Sequence, residues 1–323
     1  MKRILASLIF LSMLMVVKAQ QKPQYTQYVQ NMQVINPALT GLYSSVYLKS
    51  GLRKQWQGIQ DAPNTGYVTL SAPVNFERYY LVTEITDFGI EDISTQTESE
   101  TYFSVESHHG VGVTLINDKT GSLGKATANL TYAYHLVLND KFNLSVGVGL
   151  GVGRLSLNAT NLKFDDEANY DPALSDLDYV KWMPDVNIGV YLYSADAFVG
   201  WSIQNIASQK LMFNEDYKNY QELAHHFITG GYRFWLNEDF SLTPSIMFKY
   251  INPAPLSIDY NLKWAYRNKL WIGGAYRKND AYSGFLGLTI SKKIDMGYSY
   301  DFTQSELKSI SNGSHELVLG IKL

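Results

Sequence analysis

Six histidines and two groups of acids are the residues whose types and spacing can do chemistry in this chain. His108, His109, His135, His225, His226 and His315 are scattered, and none stands in the G-x-S-x-G setting of a nucleophile or the H-E-x-x-H setting of a zinc hydrolase. Glu222, His225 and His226 have a spacing that can ligate a metal if a helix forms there; a solvated loop is the plainer reading. Asp165, Asp166, Glu167, Asp171, Asp176 and Asp178 can gather calcium, but without the ligand order of an EF-hand. An outward His with a Ser leaves lipase-type hydrolysis as a minor alternative. No catalytic centre emerges, so the chain reads as a non-enzyme with no cofactor and no metal. A net charge of -3 gives no reason to expect a nucleic-acid partner.

The elements that would carry such residues are strands. Among 323 residues there are 24 Tyr and 24 Gly, and only 18% are charged, a balance suited to sheets with one apolar and one polar face. From about Leu48 onward the hydropathy alternates with period two. Leu256, Ile258, Tyr260, Leu262, Trp264 and Tyr266 fall on one side, with Ser257, Asp259, Asn261, Lys263 and Ala265 on the other. Phe142 to Val152 repeats the pattern, as does Lys125 to Leu138, and only Asn139 to Lys141 separate these two.

Further strands are expected at Tyr47 to Trp56, Gly66 to Ala72, Gly110 to Ile116, Asp185 to Tyr193, Ala197 to Gln204 and Phe227 to Leu236. Five more follow, at Phe240 to Tyr250, Leu270 to Arg277, Tyr282 to Ser291, Ile294 to Asp301 and Glu316 to Leu323. The total is about fourteen, most about 8 to 11 residues long, which suits a tilted bilayer crossing. The expected fold is all-β, a transmembrane antiparallel barrel closed by pairing its last strand with its first. A soluble two-sheet sandwich also alternates. The aromatic belt of Tyr132, Tyr134, Phe234, Trp264, Tyr266, Tyr298 and Tyr300 near strand ends separates the two.

Lys2 and Arg3, the apolar run Ile4 to Val17 and the small-residue site at Ala19 read as a secretory signal, too short to span a bilayer. The expected organisation is a signal peptide over 1–19, a non-strand segment over 20–45 acting as plug or lid, and an outer-membrane barrel over 46–323 with an acidic insertion at 74–108. The insertion is either a docking surface for a basic partner or a flexible polar stretch. Short turns at Asn139 to Lys141, Ser194 to Asp196, Asn237 to Asp239, Arg267 to Lys269 and Lys292 to Lys293 alternate with long connections at Leu157 to Trp182 and Ile206 to His225. The short turns are expected in the periplasm, and both chain termini with them. Lys125, Arg233, Lys249, Lys263, Asp185, Asp259, Asp295 and Asp301 should face a wet or plugged lumen. Gly147, Gly149, Gly151 and Gly153 would let another segment approach the wall.

Several motifs resemble the PorP/SprF family. Gln24-Tyr25-Thr26-Gln27-Tyr28 and Ile35-Asn36-Pro37-Ala38 with Gly41 resemble its opening, and Leu52-Arg53-Lys54-Gln55-Trp56 with Gly58, Ala62, Pro63 and Thr65 resembles its Arg-x-Gln-Trp and proline motif. Ile116 to Gly121 and Tyr132-Ala133-Tyr134-His135 are similar to its Asn-Asp-Lys loop and Tyr-x-Tyr-His strand. The resemblance implies an outer-membrane protein of type IX secretion and gliding motility, acting in export or surface anchoring of adhesin-like cargo through recognition of a C-terminal secretion domain. Its partners would be that cargo, other secretion components and outer-membrane lipid. A passive channel for small solutes is the alternative. Asn36, Pro37, Arg53, Gln55 and Trp56 are the candidate residues for binding a partner or clamping the N-terminal segment. Arg53 and Gln55 face the lumen if Leu48 and Leu52 face lipid. Fixing the first strand is the other reading of Arg53, Gln55 and Trp56.

Overall fold

The computed structural model describes residues 23–74, 106–158, 178–207, 223–291 and 293–323. The expected leader at 1–19, most of the acidic insertion and the acidic run from Asp165 to Asp176 lie outside them.

Alternation of apolar and polar side chains produces fourteen strands: β1 Tyr47–Lys54, β2 Asn64–Val74, β3 His108–Thr120, β4 Leu123–Val137, β5 Asn143–Asn158, β6 Asp178–Tyr193, β7 Ala197–Gln204, β8 His225–Tyr232, β9 Phe240–Tyr250, β10 Ser257–Tyr266, β11 Leu270–Arg277, β12 Ala281–Ser291, β13 Ile294–Thr303 and β14 Ser314–Lys322. A two-residue piece, Phe234–Trp235, continues β8 past Arg233 and pairs with β9 in unchanged register. Every neighbour is antiparallel, and β14 pairs with β1 from Tyr47↔Lys322 to Lys54↔His315. The sheet is therefore a closed barrel. Closure is what hydrocarbon demands, because a free sheet edge there would leave N–H and C=O groups without partners.

The two faces differ in the sense a membrane requires. Leu52, Leu130, Val146, Leu150, Val199, Ile228, Leu262, Ile272 and Leu286 are exposed on the outside, whereas Arg53, Thr65, Thr69, Asn129, Thr131, Ser145, Asn187 and Ser202 are buried on the inside. Aromatic side chains ring both ends of the outer face. Tyr132, Tyr134, Phe234, Trp264 and Tyr266 stand toward the short turns, and Tyr260, Tyr276, Tyr282, Tyr298 and Tyr300 toward the other end. No helix among the described residues is long and apolar enough to cross a membrane.

Two strands run further than the alternation suggests. β5 continues six residues past Val152 and β6 begins at Asp178, ahead of Asp185. There the polarity inverts, since Leu155 and Met183 pack together inside the barrel while Arg154 faces out. The hydropathy pattern consequently stops marking the strand where the backbone ladder continues. The insertion expected at 74–108 also begins and ends in sheet, with Val74 paired to His109 and His108 to His135.

The strand directions place the turns after β4, β6, β8, β10 and β12 at one end, together with the 75–107 connection. The opposite end carries the 159–177 and 205–224 connections, and also two tight turns at 121–122 and 278–280. Elaboration at that end is thus confined to particular strand pairs.

Leu130, 71% exposed at the middle of β4, tests the lipid-facing assignment. Leu130→Arg should destabilise the barrel by about 2–4 kcal/mol, the cost of a cation near the bilayer midplane. Urea titration of protein folded into lipid vesicles measures it, and an unchanged midpoint would show that this face does not meet hydrocarbon.

Candidate functional site

The lumen is occupied by the chain's own N-terminal segment. Residues 25–42 are buried without interruption and form three single turns of 3-10 helix, Tyr28–Gln30, Met32–Val34 and Pro37–Leu39. Tyr28, Val29, Met32, Val34, Ile35, Ala38, Leu39 and Leu42 pack against inward side chains of the wall, among them Tyr67, Tyr191, Tyr193, Phe198, Phe227 and Met247. Two voids between stopper and wall, one lined by Met32, Leu39 and Lys49 and one by Gln27, Asn261 and Lys263, are each about 10 Å³, room for about one water.

Short 3-10 turns leave backbone oxygens free, and in a dry lumen those oxygens need donors. The wall supplies them. Gln204 Nε2 donates to Val34 O at 2.8 Å, Ser202 Oγ to Ile35 O at 2.6 Å, and Ser145 Oγ to Ala38 O at 2.6 Å. Lys49 Nζ donates to Gln30 O, and its ammonium lies 4.5 Å from the ring centre of Tyr47. Asn36 caps the third turn through Oδ1 to Ala38 N at 2.9 Å and reaches Val190 O on β6 at 3.2 Å. The wall is thinned to let this happen: a Cβ on Gly147 would lie 2.4 Å from Ala38 N.

One end of the stopper is held by charge. Arg53 Nη2 lies 2.6 Å from Asp301 Oδ2 and Nη1 lies 3.0 Å from Glu316 Oε2, with all three side chains at most 2% exposed. Thr26 completes the knot. Its N–H donates to Glu316 at 2.7 Å, its hydroxyl donates to Asp301 at 2.8 Å, and that hydroxyl accepts from Arg53 Nη1 at 2.8 Å. Arg277 adjoins from β11, bonding Asp259 at 3.0 Å and Asp280 at 3.1 Å, with Asp301 4.0 Å away. Tyr25 and Tyr28 lie buried beside this network, Tyr28 Oη accepting from Asn261 Nδ2 at 3.0 Å. Arg53 and Glu316 are direct cross-strand partners in the β1–β14 pairing that closes the barrel.

The other end is held by two histidines. His108 on β3 and His135 on β4 stack with ring centres 4.4 Å apart, and their Nε2 atoms reach Gly41 O at 3.0 Å and Thr40 O at 2.9 Å. The backbone turns there at Gly41, whose φ is +78°, and a Cβ would strike Gly110 Cα at 2.3 Å. Gly41 thus serves both a left-handed turn and a contact between two backbones.

These anchors fix the direction of threading. Thr26 lies among the far ends of β1, β13 and β14, at the end with the long connections, and Gly41 lies at the short-turn end. Read from N to C, the segment therefore runs down the lumen from the long-connection end to the short-turn end before β1 begins, and the first described residues do not share the short-turn end with the C-terminus. A count of strands alone places both termini together, because it cannot see a segment that doubles back.

The sequence-derived candidates do not form one cluster. Arg53 touches the stopper through Thr26, whereas Asn36 and Pro37 belong to the stopper itself. Gln55 faces the lumen and its N–H donates to Pro63 O at 2.9 Å. Trp56 stands half-buried at the rim with φ +43°, its N–H on Ser314 Oγ at 3.1 Å. In the sequence, His108 and His135 figure only among the scattered histidines and Thr26 and His135 only within family motifs, none of them with a part in holding the segment; Lys49 and Glu316 are missed altogether as anchors, although their inward register on alternating strands marks them. His225 and His226 open β8 and point to opposite faces, so they cannot share a metal as a helix would allow; Glu222 lies outside the described residues. No group of three potential ligands gathers among the described residues.

A family model described as "Type IX secretion system membrane protein PorP/SprF" matches residues 17–321. A search of curated proteins finds no match. Among solved structures, the CymD monoaromatic hydrocarbon channel superposes with a TM-score of 0.52 at 12% identity, covering 90% of this chain and 92% of that one. The toluene transporter TbuX of Ralstonia pickettii gives 0.50 at 11% identity, covering 90% and 93%. These likenesses establish the outer-membrane barrel fold.

Arg53→Ala should leave Asp301 and Glu316 buried without their cation, costing about 3–5 kcal/mol. Arg53→Lys should recover only part of this, because an ammonium cannot present two parallel donors. Unfolding midpoints in urea, read alongside protease cleavage within residues 23–42, test both statements. Equal midpoints for all three proteins would mean that the network holds nothing.

Proposed function

This chain belongs to the PorP/SprF family of type IX secretion system membrane proteins, and from that premise we propose that it recognises and anchors secreted cargo and moves no solute. The cargo is an adhesin-like protein bearing a C-terminal secretion domain, and the end with the 159–177 and 205–224 connections faces outward to meet it. Export or surface retention of such adhesins would serve gliding motility. Other secretion components are the remaining partners, and the acidic sequence over 75–107 would suit a basic periplasmic one among them. Cleavage of the N-terminal signal frees the segment that fills the lumen.

The observation that carries this reading is the occupied lumen. A stopper held by wall donors along its length and by a buried ion network at one end suits a barrel that works through its surfaces. Asn36 and Pro37 then act as parts of the stopper and Arg53 as its clamp, with Gln55 and Trp56 shaping the rim above. The rival reading, a passive solute channel, draws on the hydrocarbon channel and toluene transporter with which the wall superposes. It requires the stopper to leave.

Two measurements separate the readings. The full-length barrel in planar bilayers should stay closed, while deletion of residues 24–42 should open steady conductance. Purification from native membranes after mild crosslinking should bring down an adhesin-like protein, and removal of its C-terminal domain should abolish the association. Steady conductance from the intact protein, with no cargo retained, would overturn the proposal in favour of the channel.

A further inference from the structure

The outer face carries full charges in one place. Among strand residues whose side chains are described, those facing lipid are apolar, aromatic, small or uncharged polar, apart from three cations: Lys54 on β1, Lys119 on β3 and Arg154 on β5, all exposed. The register aligns them. Lys54 pairs with Asn64, and Asn64 with Lys119, while Arg154 sits one outward step lower on β5, flanked by Ala126 and Trp182. Two interstrand steps of about 4.8 Å put neighbouring cations on the order of 10 Å apart along one arc of the wall. None of the three forms an ion pair with a described residue. The corresponding zone of β9 to β13 bears Tyr250, Tyr260, Tyr276, Tyr282, Tyr300 and Phe302 instead.

Below the cations the wall is hollowed. Gly66, Asn117, Ala126 and Ala128 form the floor of a shallow groove into which Leu115 projects, walled by Leu52 and Val68 on one side and Val152 and Trp182 on the other, with Arg154 at its upper edge. Leu52 and Trp182 are each 64% exposed. A groove lined mainly by small and apolar residues under a row of cations fits a phosphate above and acyl chains below. Charge on the lipid face costs least at headgroup depth, where long side chains extend to the interface, and all three cations lie at the long-connection end of their strands.

We propose that this arc is a binding site for a phosphate-bearing lipid of the surrounding leaflet, with Lys54, Lys119 and Arg154 on its phosphate groups and an acyl chain in the groove over Gly66, Ala126 and Ala128. Trp182 closes the groove beside Arg154 with its ring at the interface. The site lies on the opposite face of the wall from the stopper, so it operates whether or not the protein recognises cargo.

The test uses the full-length barrel in non-ionic detergent, diphosphoryl lipid A as probe, and native mass spectrometry to count retained lipid. The expected result is retention of diphosphoryl lipid A about tenfold or more above that of its dephosphorylated form, with the preference lost in the Lys54→Gln, Lys119→Gln, Arg154→Gln triple variant. Heat-modifiable electrophoretic mobility verifies that the variant remains folded. Ala126→Phe with Ala128→Phe, which fills the groove and leaves the cations in place, should also lower retention. Lys278→Gln, in a turn at the same end but outside the arc, should change nothing. Equal retention of the phosphorylated and dephosphorylated lipids by the wild-type protein, or undiminished preference in the triple variant, would overturn the proposal.

Discussion

Hydrocarbon offers no partner to a backbone N–H or C=O, and the rest of this molecule follows from that constraint. The wall must close on itself, and fourteen strands enclose a space wide enough to need contents. Those contents cannot be dry backbone without donors, so Ser145, Ser202, Gln204, Lys49, His108 and His135 stand where the stopper presents its oxygens. The usual arrangement of a folded chain is thereby turned inside out. Apolar side chains cover the exterior, and the buried apolar cluster is built mainly from the stopper itself, supplemented by inward tyrosines and phenylalanines of the wall.

The wall was largely legible from residue order. Ala197–Gln204, Phe240–Tyr250 and Leu270–Arg277 have the bounds that alternation predicts, because in these strands one side meets lipid and the other meets polar contents. Where that contrast fails, so does the reading. Leu155 and Met183 face inward and Arg154 outward, so alternation ends β5 too early, at Val152, and starts β6 too late, at Asp185.

The interior was harder to read, for two different reasons. Residues 25–42 are buried on every side, so their hydropathy carries no period that betrays a face; only their lack of strand pattern marked them as a segment apart. The ion network failed for a different reason. Asp301 was expected on the inner face, but its meeting with Arg53, Glu316 and Thr26 depends on a pairing between the two ends of the chain, separated by 263 positions for Arg53 and Glu316. Local pattern contains no information about such a meeting. It is settled by closure.

The place of that network gives it a second consequence. Arg53 and Glu316 face one another across the β1–β14 seam, and Thr26 bonds to both. Filling and sealing are accordingly coupled: an empty barrel keeps the β1–β14 ladder and the Arg53–Glu316 pair but loses the Thr26 link across them, and an open seam would deprive the filler of its charged anchor. Because only Tyr43 to Val46 separate the filler from β1, a filler pulled free stays within a few residues' reach of its seat. Whatever unseats it contends with an immediate return, so a partner able to do so must also keep the filler from its seat while it acts.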